Sequence, residues 1–325
     1  MNRMGFSRSF LQIPDSQTNH NLDFLSFFNR LAIVKQKRKS DPYYDKGLAY
    51  QGERAALLFF EPSTRTRFSF ESACYKLGMG PLVLSGEEGT SLEKGERGDD
   101  TVLNIAAMDP KLLIIRCSDD LDLASLQKQV AVPVINAGWG KKGHPTQAML
   151  DALTIFENWK NFSGKKVLFV GDILHSRVVS SHLELLPQLN VQMGFSGPME
   201  YQRPDVIQSG ASYFADLDVG LKWADAVVML RHQFERHSEL SGNKSTADSL
   251  ANSRKENYNL LYGLNPNRLK QMKSEILILH PGPVNHGLEL TAEVFQDPRC
   301  QVFEQVRNGV LVREYLIRYA LGEDI

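Results

Sequence analysis

At 325 residues, with 42% hydrophobic and 23% charged positions, the chain has the makeup of a globular protein of two ordinary domains. Its formal net charge of -1 argues against a general polyanion binder, because nucleic-acid domains carry a basic excess; any cationic cluster is then local and suited to a small anion. No run of about 18 apolar residues is present, so neither a membrane nor a nucleic acid is an expected partner.

Taken in chain order, the N-terminus MNRMGFSRSFLQIPDSQTNHN has no continuous apolar stretch followed by a cleavage site. Residues 1 to about 18 are therefore expected to be a loose extension, and the cytoplasm is the default location. Cys74, Cys117 and Cys300 are far apart and form no CxxC pair. They read as buried thiols in a reducing compartment.

Short apolar runs follow at Ala55–Phe60, Leu82–Leu84, Leu112–Ile115, Val132–Ile135, Val167–Val170, Ala226–Leu230 and Ile276–Leu279. Most are rich in β-formers and separated by stretches of helical period, the signature of βαβ units in parallel sheets. In Thr64–Gly78, Phe70, Cys74 and Leu77 share a face and Gly78 suits a helix stop. His144–Trp159 carries Pro145 in its first turn, with Ala148, Ala152, Ile155 and Trp159 on one side. The expected fold is α/β, with two doubly wound parallel-sheet domains. A boundary near Asn161–Lys165 gives a first domain of residues 1–160 and a second of 161–304. A helix at Asn308–Leu321, within residues 305–325, is expected to return to the first. The polar stretch Ser241–Asn257 has little to bury and reads as a loop.

Each of five strands is followed by a polar cluster: EPSTRTR, Arg116, GDILHSR, RHQ and HPGP. Ligands of open α/β sheets bind beyond the carboxyl ends of strands. Clusters from both halves therefore predict an active site in the cleft between the domains. Ser63-Thr64-Arg65-Thr66-Arg67 follows a strand and opens a helix. An N-capping Ser63, backbone N–H groups at a positive dipole end, hydroxyls and the Arg65 fork together suit a phosphate. A capped helix with a solvated basic first turn is the plainer alternative, but cations sit poorly against that dipole end.

FEPSTRTRFSFE at Phe60–Glu71 resembles the phosphate motif of the aspartate/ornithine carbamoyltransferase family. The resemblance continues in family order through SLEKGE, IIR, NAGWGKKGHPTQAMLD, GDILHSRV, LRHQFER and LHPGPVNHGLE, and spans roughly residues 50 to 321. It implies transfer of a carbamoyl group from carbamoyl phosphate to an amino-acid amine, with no metal or other cofactor. Ornithine-using members carry an HCLP segment and an SMG signature. This chain has HPGP at His280–Pro283 and no SMG, which favours L-aspartate as acceptor.

By the same resemblance, Ser63, Thr64, Arg65, Thr66 and Arg116 bind phosphate. Thr66, Arg116 and His144 converge on the carbonyl oxygen as an oxyanion hole. Gln147 accepts from the carbamoyl NH₂, and the Pro281 and Gly282 carbonyls complete those contacts, with Gly282 also facing the acceptor. Arg177, Arg231 and Gln233 hold the aspartate carboxylates, and Gly282-Pro283 matches a cis peptide. Ser91 and Lys94 reach the site of a neighbouring subunit, which implies a homotrimer with shared sites. A regulatory chain or a dihydroorotase partner is left open.

Plainer readings stand beside these. His144 could merely hydrogen-bond a helix start, Arg67 could be a structural ion-pair partner, His280 is expected to position its loop, and Arg313 and Arg318 to be solvated or interfacial. An oxidoreductase on a Rossmann-like domain is disfavoured because VGDILHSR lacks G-x-G-x-x-G. Val178, His286 and Arg97–Asp100 depart from the family pattern.

Overall fold

The computed structural model describes residues 8–15, 22–41, 44, 49–86, 90–232 and 257–324. The chain divides into two compact units. The first holds the described parts of Met1–Asn158 with Ser180–Leu185 and Val306–Ile325, and the second holds those of Trp159–Val179 and Leu186–Gln305.

In the first unit, strands β1 (Arg54–Phe59), β2 (Gly80–Ser85), β3 (Leu112–Cys117) and β4 (Val134–Trp139) form one parallel sheet in the order β2-β1-β3-β4. Parallel neighbours need crossovers. Helices α2 (Thr64–Lys76), α3 (Gly98–Ala106) and α4 (Leu123–Gln127) supply them. The central strand β1 is buried along Ala55–Phe59, as a strand covered on both faces must be, whereas the edge strand β2 exposes Leu82 and Val83. Strand β4 begins after Pro133, which has no N–H to give to a ladder.

Two features depart from the expectations. The chain near the N-terminus is ordered by the sheet: Phe10 is fully buried, its N–H donates to the Val134 carbonyl at 2.9 Å, and its carbonyl accepts from the Asn136 N–H at 3.0 Å. Residues around Phe10 thus extend the β4 edge, and only part of the loose segment lies outside the described residues. Helix α1 (Phe24–Ser40) is also unforeseen. Asp23 caps it by accepting from the Leu25 and Ser26 N–H groups, and Phe24, Phe27, Phe28, Leu31 and Val34 form its buried stripe. Lys35 pairs with Glu157 at 2.7 Å, which ties α1 to α5 (Pro145–Trp159), a helix buried from Pro145 to Phe156.

In the second unit, β5 (Lys166–Val170), β6 (Gln192–Ser196), β7 (Ser212–Tyr213), β8 (Ala226–Met229) and β9 (Leu277–Leu279) form a parallel sheet in the order β7-β6-β5-β8-β9. Strands β6 and β7 are additions to the sequence reading. Helix α6 (Arg177–Leu185) begins in this unit, and its residues from Ser180 group with the first. Helices α7 (Pro204–Gln208), α8 (Leu217–Trp223), α9 (Pro266–Gln271) and α10 (Ala292–Gln296) surround a core of Leu168, Val170, Leu221, Val227 and Ile278. The last helix, α11 (Val302–Ala320), starts six residues before the expected Asn308 and continues into the first unit. Of the cysteines, Cys74 and Cys117 are buried, but Cys300 is only partly so.

Candidate active site

In the first unit, Phe59 pairs in register with Arg116, and the Phe60 N–H donates to the Arg116 carbonyl at 2.9 Å. The sheet therefore sets Arg116 beside the turn that leads into α2. Ser63 occupies the N-cap with extended backbone (φ -161°, ψ 103°), yet its hydroxyl makes no capping bond, and the first turn carries no acidic residue. The hydroxyl and the first-turn amides face the same demand for an acceptor, which an anion at the dipole end would meet. Thr66 is buried, while Thr64 and Arg65 are exposed. Arg67 leaves this group: its Nε sits 3.1 Å from Glu71 one turn on, the structural ion pair weighed above. Arg116 Nε lies 3.7 Å from Glu61.

Helix α5 brings a second cluster. The His144 backbone N–H donates to Ser181 Oγ at 2.9 Å, with both residues buried. Gly143 must be glycine for this, because a Cβ there would lie 2.9 Å from the same hydroxyl. One turn later Gln147 Nε2 donates to Asp151 Oδ1 at 2.8 Å, inside the protein. His182 Nε2 stands 3.5 Å from the other oxygen of Asp151. Arg313 and Arg318, expected to be solvated or interfacial, are buried within the chain. Arg313 donates to Ser69 of α2 at 2.9 Å and to Thr146 of α5 at 3.4 Å. Burial pushes its guanidinium down to about 9, and the Asp151 carboxylate counters that fall. At neutral pH it stays a cation that braces the two site helices.

In the second unit two buried acids hold the backbone beside the candidate residues. Asp172 accepts from the His175 N–H at 3.1 Å and lies 2.9 Å from its ring Nδ1, which shapes the turn before Arg177. Gly171 has φ +122°, and a Cβ there would meet the Tyr258 hydroxyl at 2.8 Å, so only glycine fits. Burial raises the Tyr258 phenol well above its usual range, and the His232 ring packs 4.5 Å from it. Glu289, fully buried, accepts from the N–H groups of His232 at 2.9 Å and Asn285 at 2.7 Å, and from the Asn285 side chain at 2.9 Å. It thereby holds the backbone at His232, next to Arg231, and at Asn285, two residues after Pro283. His280 accepts the Gly282 N–H at 2.8 Å through Nδ1, which makes it a loop-positioning residue. The Gly282–Pro283 peptide is cis, and Pro281 and Gly282 are partly exposed.

The structure thus brings Ser63–Thr66 and Arg116 together through the pairing of β1 with β3, and places His144 just before α5 and Gln147 in its first turn. Arg177 and Arg231 follow β5 and β8, neighbouring strands of the second sheet. Ser91 and Lys94 are exposed on a 3-10 turn, Ser91–Lys94. Gln233 and residues 241–256 lie outside the described residues. Sequence reasoning missed Asp151, Ser181, His182, Glu289 and Arg313. Only Asp151 had a local signal, four residues beyond Gln147 on one helical face.

The family models for aspartate/ornithine carbamoyltransferase match most of the chain: the carbamoyl-P binding domain over residues 8–157 and the Asp/Orn binding domain over 163–319. The chain belongs to this family. It is 38% identical over 278 residues to the aspartate carbamoyltransferase catalytic subunit of Chlorobium phaeovibrioides, covering 84% of this chain and 86% of that one. Among solved structures it is similar to the aspartate transcarbamoylase of Trypanosoma cruzi in complex with carbamoyl aspartate and phosphate, with a TM-score of 0.77, 25% identity and 95% of each chain covered. The same enzyme in complex with N-(phosphonacetyl)-L-aspartic acid matches with a TM-score of 0.76 and 25% identity over 96% of each chain. As in other family members, both domains of this chain are parallel-sheet α/β units. No helix among the described residues is long and apolar enough to cross a membrane.

Proposed function

We propose that this chain transfers the carbamoyl group of carbamoyl phosphate to the amine of L-aspartate, giving N-carbamoyl-L-aspartate and phosphate. The observation that carries the donor half is the union, within one unit, of an acid-free helix N-terminus at Ser63–Thr66, Arg116 held against it by the β1–β3 register, and the His144–Gln147 turn. The relatives named for aspartate support the acceptor, and the chain carries Arg177 at the start of α6 and Arg231 just after β8 to match two carboxylates.

In this reading Ser63, Thr64, Arg65, Thr66 and Arg116 take the phosphate, and Thr66, Arg116 and His144 polarise the carbonyl. Gln147, Pro281 and Gly282 receive the carbamoyl NH₂. Arg177, Arg231 and Gln233 align aspartate so that its neutral amine attacks the carbonyl carbon, electrons move to the oxygen, and phosphate leaves, taking up the amine proton, as the carbonyl reforms. No side chain need bond to carbon, because phosphate is already a good leaving group; orientation and charge stabilisation supply the rate. The donor and acceptor together bring about four negative charges, and five cations, Arg65, Arg116, Arg177, Arg231 and Lys94, offset them.

A homotrimer in which Ser91 and Lys94 complete a neighbour's site fits their exposure and the exposed Phe68, Tyr75, Leu82 and Val83 on α2 and edge strand β2. The reaction would serve pyrimidine synthesis in the cytoplasm. Purified chain is tested with carbamoyl phosphate and either L-aspartate or L-ornithine. Phosphate release matched by carbamoyl-aspartate is expected, and carbamoyl-ornithine would refute the acceptor. Mixing inactive Lys94→Ala and Arg65→Ala chains should restore part of the activity; no recovery in mixed oligomers would refute site sharing.

A further inference from the structure

We infer that Asp151 is a positioning residue that sets donor specificity: by taking the Gln147 NH₂ it turns the Gln147 amide oxygen toward the donor, so that the site prefers a carbamoyl NH₂ over the methyl of an acyl phosphate. The inference rests on the proposed contact between Gln147 and the carbamoyl group and goes one residue behind it.

A glutamine amide has two ends of nearly equal size and opposite hydrogen-bonding character. Nothing in its own chemistry decides which end meets a ligand. An ionised carboxylate decides it, because it only accepts. Asp151 Oδ1 lies 2.8 Å from Gln147 Nε2, with Asp151 fully buried and Gln147 buried beside it. Asp151 faces two basic side chains: His182 Nε2 is 3.5 Å from Oδ2, and the Arg313 cation on α11 interacts with its carboxyl electrostatically. Arg313 in turn is anchored to Ser69 and Thr146 at 2.9 Å and 3.4 Å. The acid is therefore held by two helices besides its own, and the amide it orients is committed with Nε2 inward and Oε1 as its accepting end.

Carbamoyl phosphate and acetyl phosphate share a phosphate and a carbonyl and differ at one substituent, NH₂ against CH₃. An amide oxygen facing that substituent gains a hydrogen bond with the first and a desolvated, unpaired acceptor with the second, the type of contrast that gives polar sites their selectivity. If the amide could flip, its NH₂ would face the carbamoyl NH₂ and the preference would be lost.

The test measures binding of carbamoyl phosphate, acetyl phosphate and inorganic phosphate to the full chain by competition, without acceptor. Asp151→Asn should lower the carbamoyl-to-acetyl affinity ratio by about tenfold while phosphate affinity stays within about twofold. Gln147→Ala should lower the ratio similarly, and the double variant should be no worse than either single one. Equal weakening of all three ligands in Asp151→Asn would mark a merely structural residue and overturn the inference. A ratio unchanged in Asp151→Asn but lowered in Gln147→Ala would also overturn it, while leaving the role of Gln147 intact. A ratio unchanged in Gln147→Ala would instead remove the proposed carbamoyl contact itself. Should Asp151→Asn not fold, the exchange Gln147→Glu with Asp151→Asn keeps the buried charge beside Arg313 and restores a donor–acceptor pair. Its ratio should exceed that of Gln147→Glu alone, and a ratio no higher would count against the inference.

Discussion

The two units hold their candidate residues in different ways. In the first, the candidate residues stand at the ends of regular elements: Ser63–Thr66 open α2, Arg116 closes β3, and His144 and Gln147 open α5. Thr66, His144 and Gln147 are buried and Gln147 is fixed by a buried acid. In the second, Arg177 opens α6 and Arg231 comes two residues after β8, and the backbone beside each is held by a buried acid, Asp172 or Glu289, that accepts from N–H groups. A phosphate and a planar carbonyl are the same in every turnover of this family, so a rigid cradle serves them. The acceptor varies between family members, and loops hung on a few buried carboxylates can change without rebuilding a sheet.

The largest effect is expected in the rigid half. His144→Ala or Arg116→Ala should reduce kcat by about 10²–10³, the usual consequence of losing one donor to a developing oxyanion. Steady-state kinetics with both substrates varied will show this, and a loss confined to the aspartate KM would break the division between the units. Next comes Glu289→Ala, which strands buried N–H groups of His232 and Asn285. A stability loss of about 3 kcal/mol is expected, with a raised aspartate KM and unchanged phosphate affinity. Denaturant melts and binding of phosphate read the two parts separately.

The smallest effect is a control within the second unit. The Arg299 guanidinium, 2.8 Å from Asp297, holds that carboxyl below its ordinary value. The folded chain therefore binds this proton less tightly than the unfolded chain, and the stabilisation is complete above about pH 3.9 and lost as pH falls through the lower folded value. Asp297→Asn should cost about 1 kcal/mol or less near neutrality and nothing at still lower pH, without moving the aspartate KM. A pH series of unfolding curves for both proteins checks the sign.

How much of this was readable beforehand differs between the units for the same reason. Motifs such as STRTR and HPTQ are local, and their position after a strand or at a helix start is a property of neighbouring residues, so the donor half could be read directly. Arg313 was misplaced because helical spacing alone cannot tell that Ser69 and Thr146 await its guanidinium from distant parts of the chain. Phe10 likewise joins β4 across more than a hundred residues. Glu289 ends the LHPGPVNHGLE motif, but the sequence carries no local sign of which N–H groups it meets; only the fold shows that.

The central proposal is that Ser63–Thr66, Arg65 included, take the donor's phosphate and that Arg231 takes a carboxylate of the acceptor. Calorimetric titration with N-(phosphonacetyl)-L-aspartic acid, which carries a phosphonate and an aspartate in a single molecule, tests it most directly. One molecule should bind per chain, far more tightly than phosphate, and Arg65→Ala in the first unit and Arg231→Ala in the second should each weaken it by at least about a hundredfold. An affinity no better than that of phosphate, or one indifferent to Arg231→Ala, would contradict the account.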